Sequence, residues 1–135
     1  MRRFYLDTSA VNYLLSLQTA EEMPSPPAAE AEIITSVLVV AELCSTADAE
    51  RRTEILRVTR KLLNGIRPLA MPGELLKRSL ECVSTRASTM NPSIDHRWDG
   101  AWIALNQPEL VTEERRMEVL SWKRKQEEWY VNVSR

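Results

Sequence analysis

Arg3-Phe4-Tyr5-Leu6-Asp7-Thr8-Ser9-Ala10-Val11 is the stretch on which the fold turns. Residues 3–6 are a short aromatic and apolar run closed by polar residues, the pattern of a buried strand. Val11, Leu14 and Leu15 then recur at helical spacing, with Thr8 or Ser9 placed to cap that helix. Asp7 therefore falls at the carboxyl end of a strand, where the chain turns into a helix. In open α/β sheets this is where ligands bind.

The same unit recurs downstream. Residues 21–31, with Pro24, Pro26 and Pro27, predict a loop. Ile33-Ile34-Thr35 predicts a second strand, Ser36 a cap, and Val37, Val40, Ala41 and Cys44 the apolar positions of a second helix. Glu42 lies inside that helix, six residues after Ser36. A carboxylate among Val, Ala, Leu and Cys neighbours is expensive to bury without a partner. Thr46 or Asp48 can cap a third helix with the stripe Ile55, Leu56, Leu62 and Leu63, stopped at Asn64-Gly65. Residues 66–70 predict a third strand, which Pro68 restricts to an edge or a short piece. Pro72 opens a helix with the stripe Leu76, Leu80, Val83 and Ala87. The order βαβααβα predicts a parallel sheet flanked by helices.

The last third differs. All four Trp lie between positions 98 and 129. Trp98, Trp102 and Leu105 share one face of a short helix closed by Pro108. Thr112, followed by Glu113 and Glu114, opens a long helix striped by Val119, Trp122, Trp129 and Val133. Such a stripe reads as core or interface rather than as a base-stacking platform. The expected organisation is one domain: an α/β core over residues 1–90 and a Trp-rich helical segment over 91–135.

Composition narrows the function. With 135 residues, 44% hydrophobic and 27% charged, the chain can bury one core. No apolar run is longer than the five residues of Val37 to Ala41, far short of the roughly 20 residues of a membrane span. Asp7 interrupts the one candidate signal core, and Cys44 and Cys82 have no metal-ligand spacing, so a cytoplasmic location is expected. Charge is unevenly spread. Residues 1–50 carry two basic and eight acidic side chains, and residues 51–90 nine basic and three acidic. An acidic site beside a phosphate-attracting surface fits this pattern, as does a solvated basic helix face.

Asp7 and Glu42 come from consecutive β–α units, and neighbouring parallel strands bring their carboxyl ends together. Convergent carboxylates stay ionised only around a cation, and Mg²⁺ or Mn²⁺ suits oxygen ligands completed by water and substrate phosphate. The alternatives are that Asp7 caps a helix and that Glu42 pairs with an Arg of the basic helix. His96, the only histidine, lies beside Asp95 as a candidate general base or as an exposed turn residue. One histidine excludes a histidine-rich zinc site, and three glycines leave no P-loop or dinucleotide fingerprint.

Phe4-Tyr5-Leu6-Asp7-Thr8-Ser9-Ala10-Val11 followed by Thr35-Ser36-Val37-Leu38-Val39-Val40-Ala41-Glu42-Leu43 resembles the PIN domain, a family of metal-dependent ribonucleases that includes toxins of bacterial toxin–antitoxin pairs. The resemblance spans residues 3 to about 90. It implies a Rossmann-like three-layer α/β/α fold with a short parallel sheet, and an acidic pocket holding Mg²⁺ or Mn²⁺. Asp7 matches the first metal-binding Asp, Ser9 the hydroxyl residue often near it, and Glu42 the second acid. A third Asp usually opens a helix reading Asp-x-x-Ile-Ala. Here Asp99-Gly100-Ala101-Trp102-Ile103-Ala104 is one residue longer. Leu110-Val111-Thr112-Glu113-Glu114 is similar to the strand carrying a further acid, but follows Asp99 closely and reads as a helix start. The other reading of residues 91–135 is a Trp-rich insertion of longer relatives, with the remaining acids missing.

The resemblance thus implies a ribonuclease in which Asp7, Glu42 and Asp99 hold the metal and Ser9 or Thr8 supports its water. Arg51, Arg52, Arg57 and Arg60 would contact RNA phosphates without reading sequence. An antitoxin protein and a homodimer are the implied partners. The rival is a catalytically incomplete PIN-like module that binds protein through its Trp-rich end.

Overall fold

The structure is a computed structural model that describes residues 2–17, 31–70, 72–85 and 99–134. Strands β1 (Arg2–Tyr5) and β2 (Ala31–Ile34) pair in parallel, with Phe4 opposite Ile33 and Tyr5 opposite Ile34. One residue further, the Leu6 N–H donates to the Ile34 carbonyl (2.7 Å) and the Thr35 hydroxyl to the Leu6 carbonyl (2.7 Å). Leu6 and Thr35 are buried, whereas all four residues of β1 are exposed. The expected buried strand is thus an exposed one whose anchor is the residue after it.

Each strand feeds a helix. Helix α1 (Thr8–Leu17) starts where the Asp7 carboxylate accepts the Ala10 N–H at 2.7 Å. The cap is therefore Asp7 and not Thr8 or Ser9, because a side chain one position ahead of the first turn reaches the free N–H three residues on. Helix α2 (Val37–Cys44) is capped by Ser36, whose Oγ takes the Val39 N–H and also pairs with the Tyr5 hydroxyl.

Helix α3 (Ala49–Leu63) forms the centre. Asp48 caps it, accepting from Arg51 N, and the chain leaves through Asn64 (φ 47°) and Gly65 (φ 87°). Two successive left-handed residues end a helix abruptly, and Gly accepts that backbone without strain. Ile55, Leu56, Val58, Leu62 and Leu63 are buried against α1, α2, β2 and α5 (Asp99–Asn106). Ala104, Leu105 and Val111 join the same core as Val11 and Leu43. The C-terminal segment is thereby built into the α/β unit.

The expected third strand contracts to one parallel bridge, Ser36 with Leu69, in which Leu69 N donates to Thr35 O and Val37 N to Leu69 O. Pro68 has no N–H to extend the ladder and is itself buried. Among the described residues the sheet has two strands, so the molecule is mixed α/β and mostly helical.

Helix α4 (Pro72–Thr85) begins at its proline as expected, yet Leu76, Leu80 and Val83 are 63%, 61% and 78% exposed. Ala87 lies outside the described residues. After a 3₁₀ turn (Pro108–Leu110), Thr112 takes the Arg115 N–H and opens α6 (Glu113–Val133). Along α6, Val119 and Trp122 are half-buried while Trp129 and Val133 are exposed, so the apolar stripe divides in two. Among the described residues no helix is long and apolar enough to cross a membrane.

Candidate functional site

Asp7 is exposed at the carboxyl end of β1, and one carboxylate oxygen is committed to capping α1. The next residue, Thr8, donates its hydroxyl to Glu42 Oε2. Glu42 is half-buried on the last turn of α2, so this contact draws a carboxylate of the second β–α unit to the residue adjoining Asp7. It also answers the question of what accompanies a carboxylate in an apolar helix: a hydroxyl donor, not an arginine.

Asn12, one turn after Thr8, links the site to α3. Its Nδ2 donates to the Thr8 carbonyl (3.0 Å), and its Oδ1 accepts from Arg51 Nη2 (3.1 Å). Sequence reasoning passed over Asn12, whose only local signal is its i+4 spacing from Thr8. Ser9 is exposed on the first turn of α1. Asp99 opens α5, but its side chain lies outside what the structure describes, as do Asp95, His96 and Trp98. Among the described residues no group of three His, Cys, Asp or Glu is poised around a common point. Thr8 brings Glu42 to the residue adjoining Asp7, and the donors along this turn are oxygens: the Asp7 and Glu42 carboxylates and the Thr8 and Ser9 hydroxyls. That set fits Mg²⁺ or Mn²⁺, which bind through one or two carboxylates and keep several waters.

The four arginines expected to contact phosphate take different positions. Arg51 turns to α1 through Asn12. Arg52 is buried: its guanidinium donates to the Thr46, Ala47 and Val111 carbonyls at 2.7, 3.3 and 3.0 Å. It is a brace between the α2–α3 loop and the start of α6, and is not on the basic surface. Arg57 is exposed, and Arg60 donates to Asn106 Oδ1 at 2.6 Å on the α5 side. Arg57, Arg60, Lys61, Asn64, Trp102 and Asn106 border a cleft of about 660 Å³. The Arg67 guanidinium stands over the Trp102 ring, 5.5 Å from its centre.

A smaller apolar cavity, about 260 Å³, lies between α2 and α6 beside Val40, Cys44, Val119 and Trp122. Burial pushes the Cys44 thiol up to about 11, and the nearby Arg52 charge offsets this only in part. A thiol held protonated in this way is not a nucleophile at neutral pH. Cys44 and Cys82 are both thiols, with no disulfide among the described residues. No family model, curated protein or solved structure matches the chain.

Proposed function

We propose that this chain is a PIN-like ribonuclease dependent on Mg²⁺ or Mn²⁺, hydrolysing phosphodiesters at the Asp7–Glu42 site, as the toxin of a toxin–antitoxin pair does. The supporting observation is the Thr8 hydroxyl bound to Glu42, which ties the second β–α unit to the residue adjoining Asp7 at the carboxyl end of a parallel strand. Asp7 and Glu42 would hold the ion, and Asp99 supplies the third acid on the PIN resemblance. When bound, the divalent ion lowers the pKa of a coordinated water and neutralises phosphodiester charge. Thr8 fixes Glu42, and Arg51, held by Asn12, brings positive charge one turn further along α1. Ser9 and Thr8 offer hydroxyls to the surrounding water. The three-layer arrangement of the family belongs to the same proposal.

Asp7→Asn separates the two roles of this residue. Asn caps a helix about as well as Asp, so the fold stays intact while a ligand charge is lost. By calorimetry the wild type binds Mn²⁺ saturably and Asp7→Asn does not, and cleavage of single-stranded RNA disappears with it. Equal Mn²⁺ binding by the variant overturns the site.

A second reading draws on the exposed Leu76, Leu80 and Val83 of α4 and the exposed distal half of α6. These faces suit a PIN-like module that associates with protein or with itself. In that reading the wild type shows no specific Mn²⁺ binding, and its mass in solution rises with concentration.

A further inference from the structure

Two sides of α3 carry arginine, and they face different surroundings. Arg51 and Arg60 are nine residues apart, which on an α-helix is half a turn of rotation and about 14 Å along the axis. The contacts agree with that geometry: Arg51 reaches Asn12 of α1, and Arg60 reaches Asn106 of α5. The cleft at Arg60 is therefore a separate place from the Asp7–Glu42 pair.

Arg57, Arg60 and Lys61 stand at i, i+3 and i+4, so three cationic side chains share one stripe of α3. Like charges at this spacing repel and destabilise a helix. Among the described residues Glu109 is the single acid bordering the cleft. Basic residues in a last turn complement the helix dipole, which accounts for Lys61. It does not account for Arg57, nearly two turns before the C-cap and with no ion-pair partner among the described residues. Arg60 also lies in that last turn, but the dipole does not account for its orientation, which a side chain of another helix fixes. Asn106 holds Arg60 Nε with a neutral carboxamide and is itself fixed by its Nδ2 donating to the Trp102 carbonyl at 2.8 Å. The charge is positioned without being neutralised. Asn64 adds a carboxamide and Trp102 an apolar wall. A volume near 660 Å³ admits a group of nucleotide size.

We propose that this cleft binds nucleoside phosphates, the Arg57 and Arg60 guanidinium groups taking phosphate oxygens and the Asn64 carboxamide taking base or sugar. The preference for RNA over other nucleoside phosphates rests on the nuclease reading, and binding at the cleft does not require the metal site. A free nucleotide and a single-stranded backbone present the same chemistry.

The test is fluorescence anisotropy of an end-labelled ten-nucleotide single-stranded RNA, in EDTA at low salt, with AMP as competitor. Wild type binds saturably. Arg57→Glu/Arg60→Glu weakens binding by at least tenfold, and its salt dependence becomes shallower by about 1.4 in the log–log slope, two single-strand phosphate contacts. Arg57→Ala alone, at an exposed position, weakens binding severalfold. Displacement by millimolar AMP assigns the cleft to single nucleotides, and retention of RNA against AMP assigns it to the strand backbone. Wild type that binds neither RNA nor AMP overturns the proposal. So does a double variant within twofold of wild type. Because EDTA removes the ion, failure of Mn²⁺ binding leaves this result readable, and failure here leaves the metal site untouched.

Discussion

Helices α3 and α4 carry similar apolar stripes and have opposite fates. Ile55, Leu56, Leu62 and Leu63 are buried among four neighbouring elements, whereas Leu76, Leu80 and Val83 of α4 stand in solvent. Both helices start on sound local signals, Asp48 for one and Pro72 for the other. What differs is how each is tied in. Helix α3 is held by Arg52 to two loops, by Arg51 to α1 and by Arg60 to α5. Periodicity dictates that a helix has an apolar face, and partners elsewhere in the chain dictate whether that face is covered.

The sharpest way to break this comparison is truncation of one leucine from each helix. Leu56→Ala is expected to cost about 3 kcal/mol, the transfer term plus the cavity left in a packed core. Leu80→Ala should stay within about 0.5 kcal/mol, as exposed substitutions do. Urea denaturation of both variants measures this. A large loss in Leu80→Ala means that the α4 face is covered in solution, and the contrast collapses.

Next in size is the brace. Arg52→Met keeps much of the stem volume but leaves three carbonyls without their donor, for an expected loss of about 2 kcal/mol. The same substitution at exposed Arg57 is expected to change stability by less than about 0.5 kcal/mol.

The cysteines give the gentlest test, one in each region. At pH 8 a thiol reagent should modify half-exposed Cys82 of α4 in the native protein, and Cys44 only as the core opens. Alkali adds a second readout. The folded-state value for Cys44 is raised from 9.0 to about 11, so the native state holds a proton that the unfolded chain releases. Its contribution to stability is complete below about 9 and is lost as pH climbs toward about 11. Cys44→Ala removes that segment of the pH dependence. If native Cys44 reacts as fast as Cys82, the core between α2 and α6 is open.

The legible features were those whose chemistry is local. Ser36, Asp48, Asn64-Gly65, Pro72 and Thr112 each announce a helix start or stop within a few residues, and the structure places the boundaries there. Pro68 announced the weakness of the third strand, though not its reduction to one bridge. Arg52 was illegible: in a run of basic residues it reads as surface, and its burial depends on a carbonyl 59 positions away. Thr8 was legible as a hydroxyl beside Asp7. Its bond to Glu42 spans 34 positions, and no local pattern encodes such a partner. Exposure of the α4 face was equally hidden, since a stripe in sequence carries no record of what lies opposite.

Helix α6 has a mechanical consequence. Its base is fastened by Arg116, which donates to the Ser45 carbonyl at 3.3 Å and pairs with Glu113 at 2.9 Å. Thirteen residues on, Trp129 is exposed, about 20 Å further along the rod. The base of this rod is joined through Arg116 to the C-cap of α2, three residues beyond Glu42.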